Sequence, residues 1–224
     1  MATAVRSQAR YDDWADWYEQ YITGDAQAFT ERTAEVLAQV LGHGSGPLLD
    51  LACGTGIYGP ALRTLGWTPF GVDLSAGQLQ HASKRMPAAV GEASALPVRD
   101  EAMAAVAAVL CHTDIDDYGL ACQALSRALR PGGVFAHVGV HPCFVGAFAD
   151  RADSSEITIT PGYWKRDRRF EGPWCGVRAR VGARHIPLGE LLGAFIRAGL
   201  TIDRVIEAGI PTPDILAVRC IRTG

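Results

Sequence analysis

"LLDLACGTGIYG", Leu48 to Gly59, sets apolar residues around one carboxylate, Asp50, and follows them with three glycines. A short apolar run entering a glycine turn reads as a buried parallel strand that leads into a helix. The glycines fit G-x-G-x-x-G, the spacing that lets backbone approach a bound nucleotide. Asp50 stands just before them, so a pyrophosphate at this turn would be repelled by ~1 to 4 kcal/mol, depending on the effective dielectric. A phosphate-free nucleoside carrying positive charge suits the turn better. An acid at the strand end attracts an ammonium, and amides at a helix N-terminus meet a small carboxylate.

Outward from this turn the pattern repeats. Upstream, Ala26 to Leu41 is an amphipathic helix with Phe29, Thr33, Val36, Leu37, Val40 and Leu41 on one stripe. Downstream, Tyr58–Leu65 reads as a short helix and "WTPFGVDLS" as a strand ending at Asp73, placed to take both hydroxyls of a ribose. Ser75 and Gln78 form a capping box for the next helix. Ala88–Val90, Ala104–Leu110 and Val134–Val140 read as further strands, and Leu120–Leu129 as a helix stopped by Pro131-Gly132-Gly133. Strands alternating with helices predict an α/β fold, a parallel sheet covered on both faces. Pro187 opens a last helix, and Ile202–Ala208 and Ile215–Ile221, joined by a short loop, should be antiparallel. Ile157–Thr160 and Val177–Val181 both alternate like strands, which predicts an inserted antiparallel flap across 142–186.

The chain has 224 residues and net charge −3 with both signs interspersed, so no electrostatic argument favours nucleic acid or an anionic membrane. No apolar stretch reaches spanning length, and the N-terminus lacks the pattern of a signal peptide, so a cytoplasmic protein is expected. The six cysteines are scattered without a C-x-x-C pair, the pattern of reduced thiols rather than a disulfide framework. No metal site is expected, since Cys111, His112, His141 and Cys143 show no recognisable ligand spacing; Asp114, Asp116 and Asp117 could act as bases or hold a divalent metal. The acids suit capping before Leu120.

Four motifs in order carry a resemblance. "LLDLACGTGIYG", "FGVDLS", "GEASALPV" and "LRPGGVF" make the chain resemble class I S-adenosylmethionine-dependent methyltransferases over most of its length. The resemblance implies a Rossmann-like, seven-stranded, mostly parallel sheet with an antiparallel last strand, in a single domain over 1–224. It implies S-adenosylmethionine as cofactor and S-adenosylhomocysteine as product. Asp50, Ala52, Gly54, Gly56, Asp73, Leu74, Glu92, Ala93 and Cys111 fall on or beside cofactor positions, with Glu92 where Asp is commoner. It also implies an N-terminal lid, here 1–25, through which Tyr11 and Tyr21 reach the methionine carboxylate or the substrate. Trp14, Trp17 and Tyr18 can equally pack a helix onto the sheet.

Methyl transfer needs alignment of donor and acceptor and an outlet for a proton. Histidine is basic near neutrality. His141, at the end of the fifth strand before Pro142, and His112, just past the fourth, stand where a base is wanted; His137, mid-strand, is structural. "PGYWKRDRRFEGPW" offers Tyr163, Trp164 and Trp174 for a small-molecule substrate. The expected reaction is O- or N-methylation of a small biosynthetic intermediate with a histidine base, by a monomer or homodimer. The alternatives are methylation at carbon or a carboxylate by positioning alone, and a non-catalytic adenosylmethionine-binding protein.

Overall fold

The computed structural model describes residues 9–152, 156–170 and 176–223. After a 3-10 turn at Asp12–Trp14 the elements run α1 (Ala15–Thr23), α2 (Gln27–Leu41), β1 (Gly46–Leu51), α3 (Gly59–Thr64), β2 (Trp67–Asp73), α4 (Ala76–Ala82), β3 (Ala88–Val90) and β4 (Met103–Val109). They continue with α5 (Tyr118–Ala128), β5 (Leu129–Val140), β6 (Ala149–Asp150), β7 (Thr158–Ile159), α6 (Val177–Val181), α7 (Leu188–Arg197), β8 (Leu200–Ala208) and β9 (Ile215–Arg222).

Seven strands form one sheet in the order β3-β2-β1-β4-β5-β9-β8. β1 through β5 pair in parallel, and β9 runs antiparallel to both β5 and β8. Both faces of the central strands are buried, which is why they read as unbroken apolar runs. Leu49, Leu51, Val106, Ala108 and Phe135 pack under α5 and α7, while Leu48, Ala105, Ala107 and Ala136 pack under α2 and α3. The chain crosses sides between β1 and β4, so the carboxyl ends of these two strands open a crevice where ligands bind in such sheets. No described helix is long and apolar enough to cross a membrane.

The sequence pattern misleads in two places. Val177–Val181 is a helical turn, not a strand, ended by Gly182 at φ 69°. Val177 and Val181 stand four apart, so V-R-A-R-V satisfies a helical period as well as a period of two. The insertion's antiparallel pair is instead the two-residue β6 and β7, with a single bridge between Arg169 and Ala183. β5 also begins at Leu129 rather than Val134, because Met103 pairs with Leu129 and Ala105 with Val134, leaving Arg130–Gly133 as a bulge.

Candidate active site

A cavity of about 1040 Å³, counting its open mouth, lies at the ends of β1, β2 and β4. Asp50, Ala52, Gly54, Asp73, Leu74, Glu92, Ala93 and Cys111 all line it. Ala52 at φ 52° and Leu110 at φ 55° follow β1 and β4 directly. Non-glycine residues adopt this backbone at a cost of order 1–3 kcal/mol, and such strain clusters where chain is turned toward a ligand.

Asp50 is 1% exposed, and its Oδ2 has no hydrogen-bond partner among the described residues. Burial, and then the charge of Asp73, push its pKa up to about 7. Asp73 is held in place: its Oδ2 accepts from Gly54 N at 2.8 Å and its Oδ1 from Ser75 N at 2.8 Å. Each carboxylate oxygen retains a lone pair for a further donor such as a hydroxyl. Ser94 Oγ donates to Glu92 Oε1 at 3.3 Å. Burial pushes the Cys111 thiol up, so it is a neutral wall. At Gly54, φ is +54°, and a Cβ would stand 2.6 Å from Gln78 Oε1.

Gly56 does not reach the cavity. Its amide donates to Cys53 O within the turn, and a Cβ there would meet Ala82 at 3.1 Å, so this glycine serves packing on α4. With the Gly54 amide given to Asp73, neither amide remains for a ligand carboxylate. Arg10 and Tyr18 supply donors on the far wall instead, the Tyr11 hydroxyl being given to Asp114.

Tyr11 lines the cavity, whereas Tyr21 does not: it stacks on Trp17 with centroids 5.1 Å apart. Tyr18 takes that place, edge-on to Tyr11 at 5.3 Å. The seven-residue spacing from Tyr11 to Tyr18 is two helical turns, a signal present in the sequence. Acids fix this segment to α4. Asp12 Oδ1 accepts from Ser75 Oγ at 2.6 Å and Gly77 N at 3.1 Å, Asp16 pairs with His81 at 2.8 Å, and Glu19 pairs with Arg85.

The structure does not bring His141 to the cavity. It is 2% exposed; its Nδ1 accepts from Cys143 N at 3.1 Å, which leaves the proton on Nε2 to donate to Glu207 Oε1 at 2.7 Å. Both ring nitrogens are engaged. His112, also 2% exposed, faces a different cavity, and burial lowers its pKa to about 3. His137 is buried and bonded to the Tyr118 hydroxyl at 2.9 Å.

The acids after β4 divide their roles. Asp117 Oδ1 caps α5, accepting from Leu120 N at 2.9 Å, and Asp116 pairs with Arg10 and Arg168. Asp114 lines the cofactor cavity, with a quarter of its side chain open. Burial raises its pKa to about 7 against the opposing pull of Arg168 and a hydrogen bond donated by Tyr11. Capping described only the last of the three.

A second cavity, about 620 Å³ with its mouth, lies between the end of β5 and the insertion. Trp164 is 74% exposed and lines neither cavity. Tyr163 packs behind this second site on Phe148 and His185, and its hydroxyl accepts from Leu188 N at 2.9 Å. Trp174 lies outside the described residues. Among the described residues no three His, Cys, Asp or Glu side chains converge as metal ligands.

Comparison with known proteins agrees with this geometry. Residues 49–137 match the family described as "Methyltransferase domain". A demethylmenaquinone methyltransferase of Mycolicibacterium paratuberculosis is 35% identical over 95 residues, 42% of this chain and 41% of the relative. The chain thus spans about two fifths of the length of the curated relatives it matches. An S-adenosylmethionine-dependent methyltransferase of Mesorhizobium loti superposes with TM-score 0.68 at 20% identity, covering 86% of this chain and 97% of that one. A geranyl diphosphate C-methyltransferase of Streptomyces coelicolor, solved with S-adenosylhomocysteine, gives TM-score 0.65 at 16% identity, covering 92% and 83%. Residues 49–137 thus resemble a methyltransferase domain, and the solved structures share its Rossmann-like fold. The match to that family runs from β1 into β5.

Proposed function

We propose that this protein transfers a methyl group from S-adenosylmethionine to an oxygen or nitrogen atom of a small molecule. One observation carries the reading: Asp50, a buried carboxylate whose Oδ2 has no described partner, beside Asp73 at the switch point of the sheet. A buried unpaired carboxylate is costly unless a cation completes it. The ammonium of S-adenosylmethionine supplies that cation, and no phosphate of the ligand opposes it. Asp73 would take the ribose hydroxyls and Glu92 with Ala93 the adenine, while Leu74 and Cys111 supply apolar wall. When bound, the cofactor supplies an electrophilic methyl on a sulfonium. Asp114 takes the acceptor's proton, because its acid range is centred near neutral pH and Tyr11 orients it. Asp50 shares that range but is occupied by charge pairing. Residues 9–25 and the described residues of the insertion shield the two sides of one catalytic domain.

Calorimetry with S-adenosylhomocysteine and, separately, NADH tests the cofactor; binding of the homocysteine compound alone is expected. Incubation with methyl-labelled cofactor and a metabolite extract should then yield a labelled small molecule. NADH binding with S-adenosylhomocysteine ignored would overturn the reading.

A further inference from the structure

The second cavity differs in charge from the first. His112 ends the turn after β4, next to Cys111 of the cofactor cavity, so the two sites meet at that strand end. Its ring is accommodated because β5 carries Gly139 beneath it, where a Cβ would stand 2.6 Å from His112 Nδ1. His112 Nδ1 and, across the cavity, His185 Nε2 are both buried without a described hydrogen-bond partner. Arg178, from α6, lines the same space. Burial lowers its pKa, and the charge of Asp114 opposes that shift. Lys165 and Arg184 add charge at the wall, and Asp167 is the one carboxylate there among the described residues. Opposite them, Val140, Pro142, Val145 and Phe148 are apolar.

Two buried imidazole nitrogens without a described hydrogen-bond partner and the guanidinium of half-buried Arg178 line one cavity, and together they offer half of an ion pair. The missing half is a compact group of negatively charged oxygens, which a guanidinium binds in bidentate fashion. We infer that this cavity holds the methyl acceptor by an anionic oxygen group, a carboxylate or a phosphate, with the acceptor's apolar body against Val145 and Phe148. That the anion is the acceptor rests on the methyltransferase reading above; that the cavity binds an anion does not. Burial, with the charge of Arg178 at His112 and of Arg166 and then Arg178 at His185, holds the two at pKa values of about 3 and 4, so both imidazoles are neutral near pH 7 and free to donate or accept.

The test titrates the full chain, loaded with S-adenosylhomocysteine, with benzoate and separately with inorganic phosphate, following the His112 and His185 ring resonances by NMR. Saturable shifts of both rings are expected at millimolar anion. A response to benzoate alone identifies a carboxylate, and to phosphate alone a phosphate. Arg178→Gln should weaken binding by ~30-fold, the loss seen when one partner of a buried charge pair is removed. Lys165→Gln, at an exposed position that endangers no folding, should weaken it by about threefold as a rim charge. Arg204→Gln, whose guanidinium donates to Gln39 O away from the cavity, should leave it unchanged. S-adenosylhomocysteine affinity should be the same in all three variants. If neither anion moves either ring, or both variants of cavity residues bind as wild type does, the anion site is refuted. If an anion binds only by displacing S-adenosylhomocysteine, it is not the acceptor site. Failure of S-adenosylhomocysteine to bind wild type would instead remove the methyltransferase reading while leaving the anion titration informative.

Discussion

The two cavities that meet at the end of β4 are electrostatic opposites. The cavity proposed for the cofactor is walled by Asp50, Asp73, Glu92, Asp114 and Asp116, with Arg10 as its cation; the other is walled by Lys165, Arg169, Arg178 and Arg184, with Asp167 as its acid. The acidic site is built from strand ends and tight turns, so backbone geometry fixes every carboxylate. The basic site is built from an insertion whose regular structure amounts to a two-residue ladder and one helical turn. The difference suits the tasks proposed for them. A donor that is always the same molecule wants a rigid, shared frame, and an acceptor peculiar to one protein is met by loops that vary freely around it.

Asp114 lies between the two fields, and replacing it should have the largest effect. Asp114→Asn keeps the shape, removes the base, and should lower kcat by a factor of ~10²–10⁴. In wild type, kcat should rise with pH through the value of about 7 set by this carboxyl. A variant with unchanged kcat and a flat profile would favour an acceptor carbon or carboxylate that needs no base. Asp50→Asn is next. Loss of one member of a buried charge pair should weaken S-adenosylhomocysteine binding by ~2 kcal/mol or more, about 30-fold. The same substitution should stabilise the ligand-free protein at neutral pH. Asp50 moves from an ordinary 3.8 to about 7 on folding, so the folded state holds a proton that the unfolded chain releases between those values. Its contribution to stability therefore falls as pH rises through that window. The difference in Tm between Asp50→Asn and wild type should grow with pH across the window and level off above it.

A smaller effect belongs to the turn itself. Gly54→Ala must hold φ at +54° and place a methyl against Gln78. The expected cost is ~1–2 kcal/mol, a fall in Tm of ~2–8 °C. If Tm is unchanged, the turn is less constrained than the acidic site requires.

How much of this could be read from the residues follows the same division. Asp50, Gly54 and Asp73 were legible because a strand, a turn and a helix in tight succession leave little freedom, and residue spacing then translates directly into position. Ser75 capping α4 and the buried stripe of α2 were legible for the same local reason. Tyr18 was obscured because an aromatic on a helix has the same spacing whether it packs a core or faces a ligand. Asp114 could be read as a base, but spacing alone does not part it from its neighbours, of which one, Asp117, does cap the helix. Arg178 and His185 were beyond reach, since their meeting with His112 depends on how an irregular insertion folds back over the sheet. Val177–Val181 misled for want of length: five residues cannot separate a period of two from one of four.

His141 sharpens the contrast from the basic side, with the smallest effect on turnover. Its position at the end of β5 suggested a base, yet Cys143 N and Glu207 occupy both ring nitrogens, and neither cavity includes it. The ring therefore anchors the turn that starts the insertion to strand β8. His141→Ala should leave kcat within about threefold of wild type, because only indirect positioning is disturbed. It should lower stability by ~1–3 kcal/mol, through the Glu207 bond and the orphaned Cys143 amide. Glu207→Gln separates anchoring from chemistry: its amide oxygen still accepts from Nε2, so stability should drop less than in His141→Ala, and kcat should again hold. If both variants fold normally and both lose two orders of magnitude in kcat, the imidazole works in the reaction with Glu207 orienting it, and the base lies at the end of β5 rather than at Asp114.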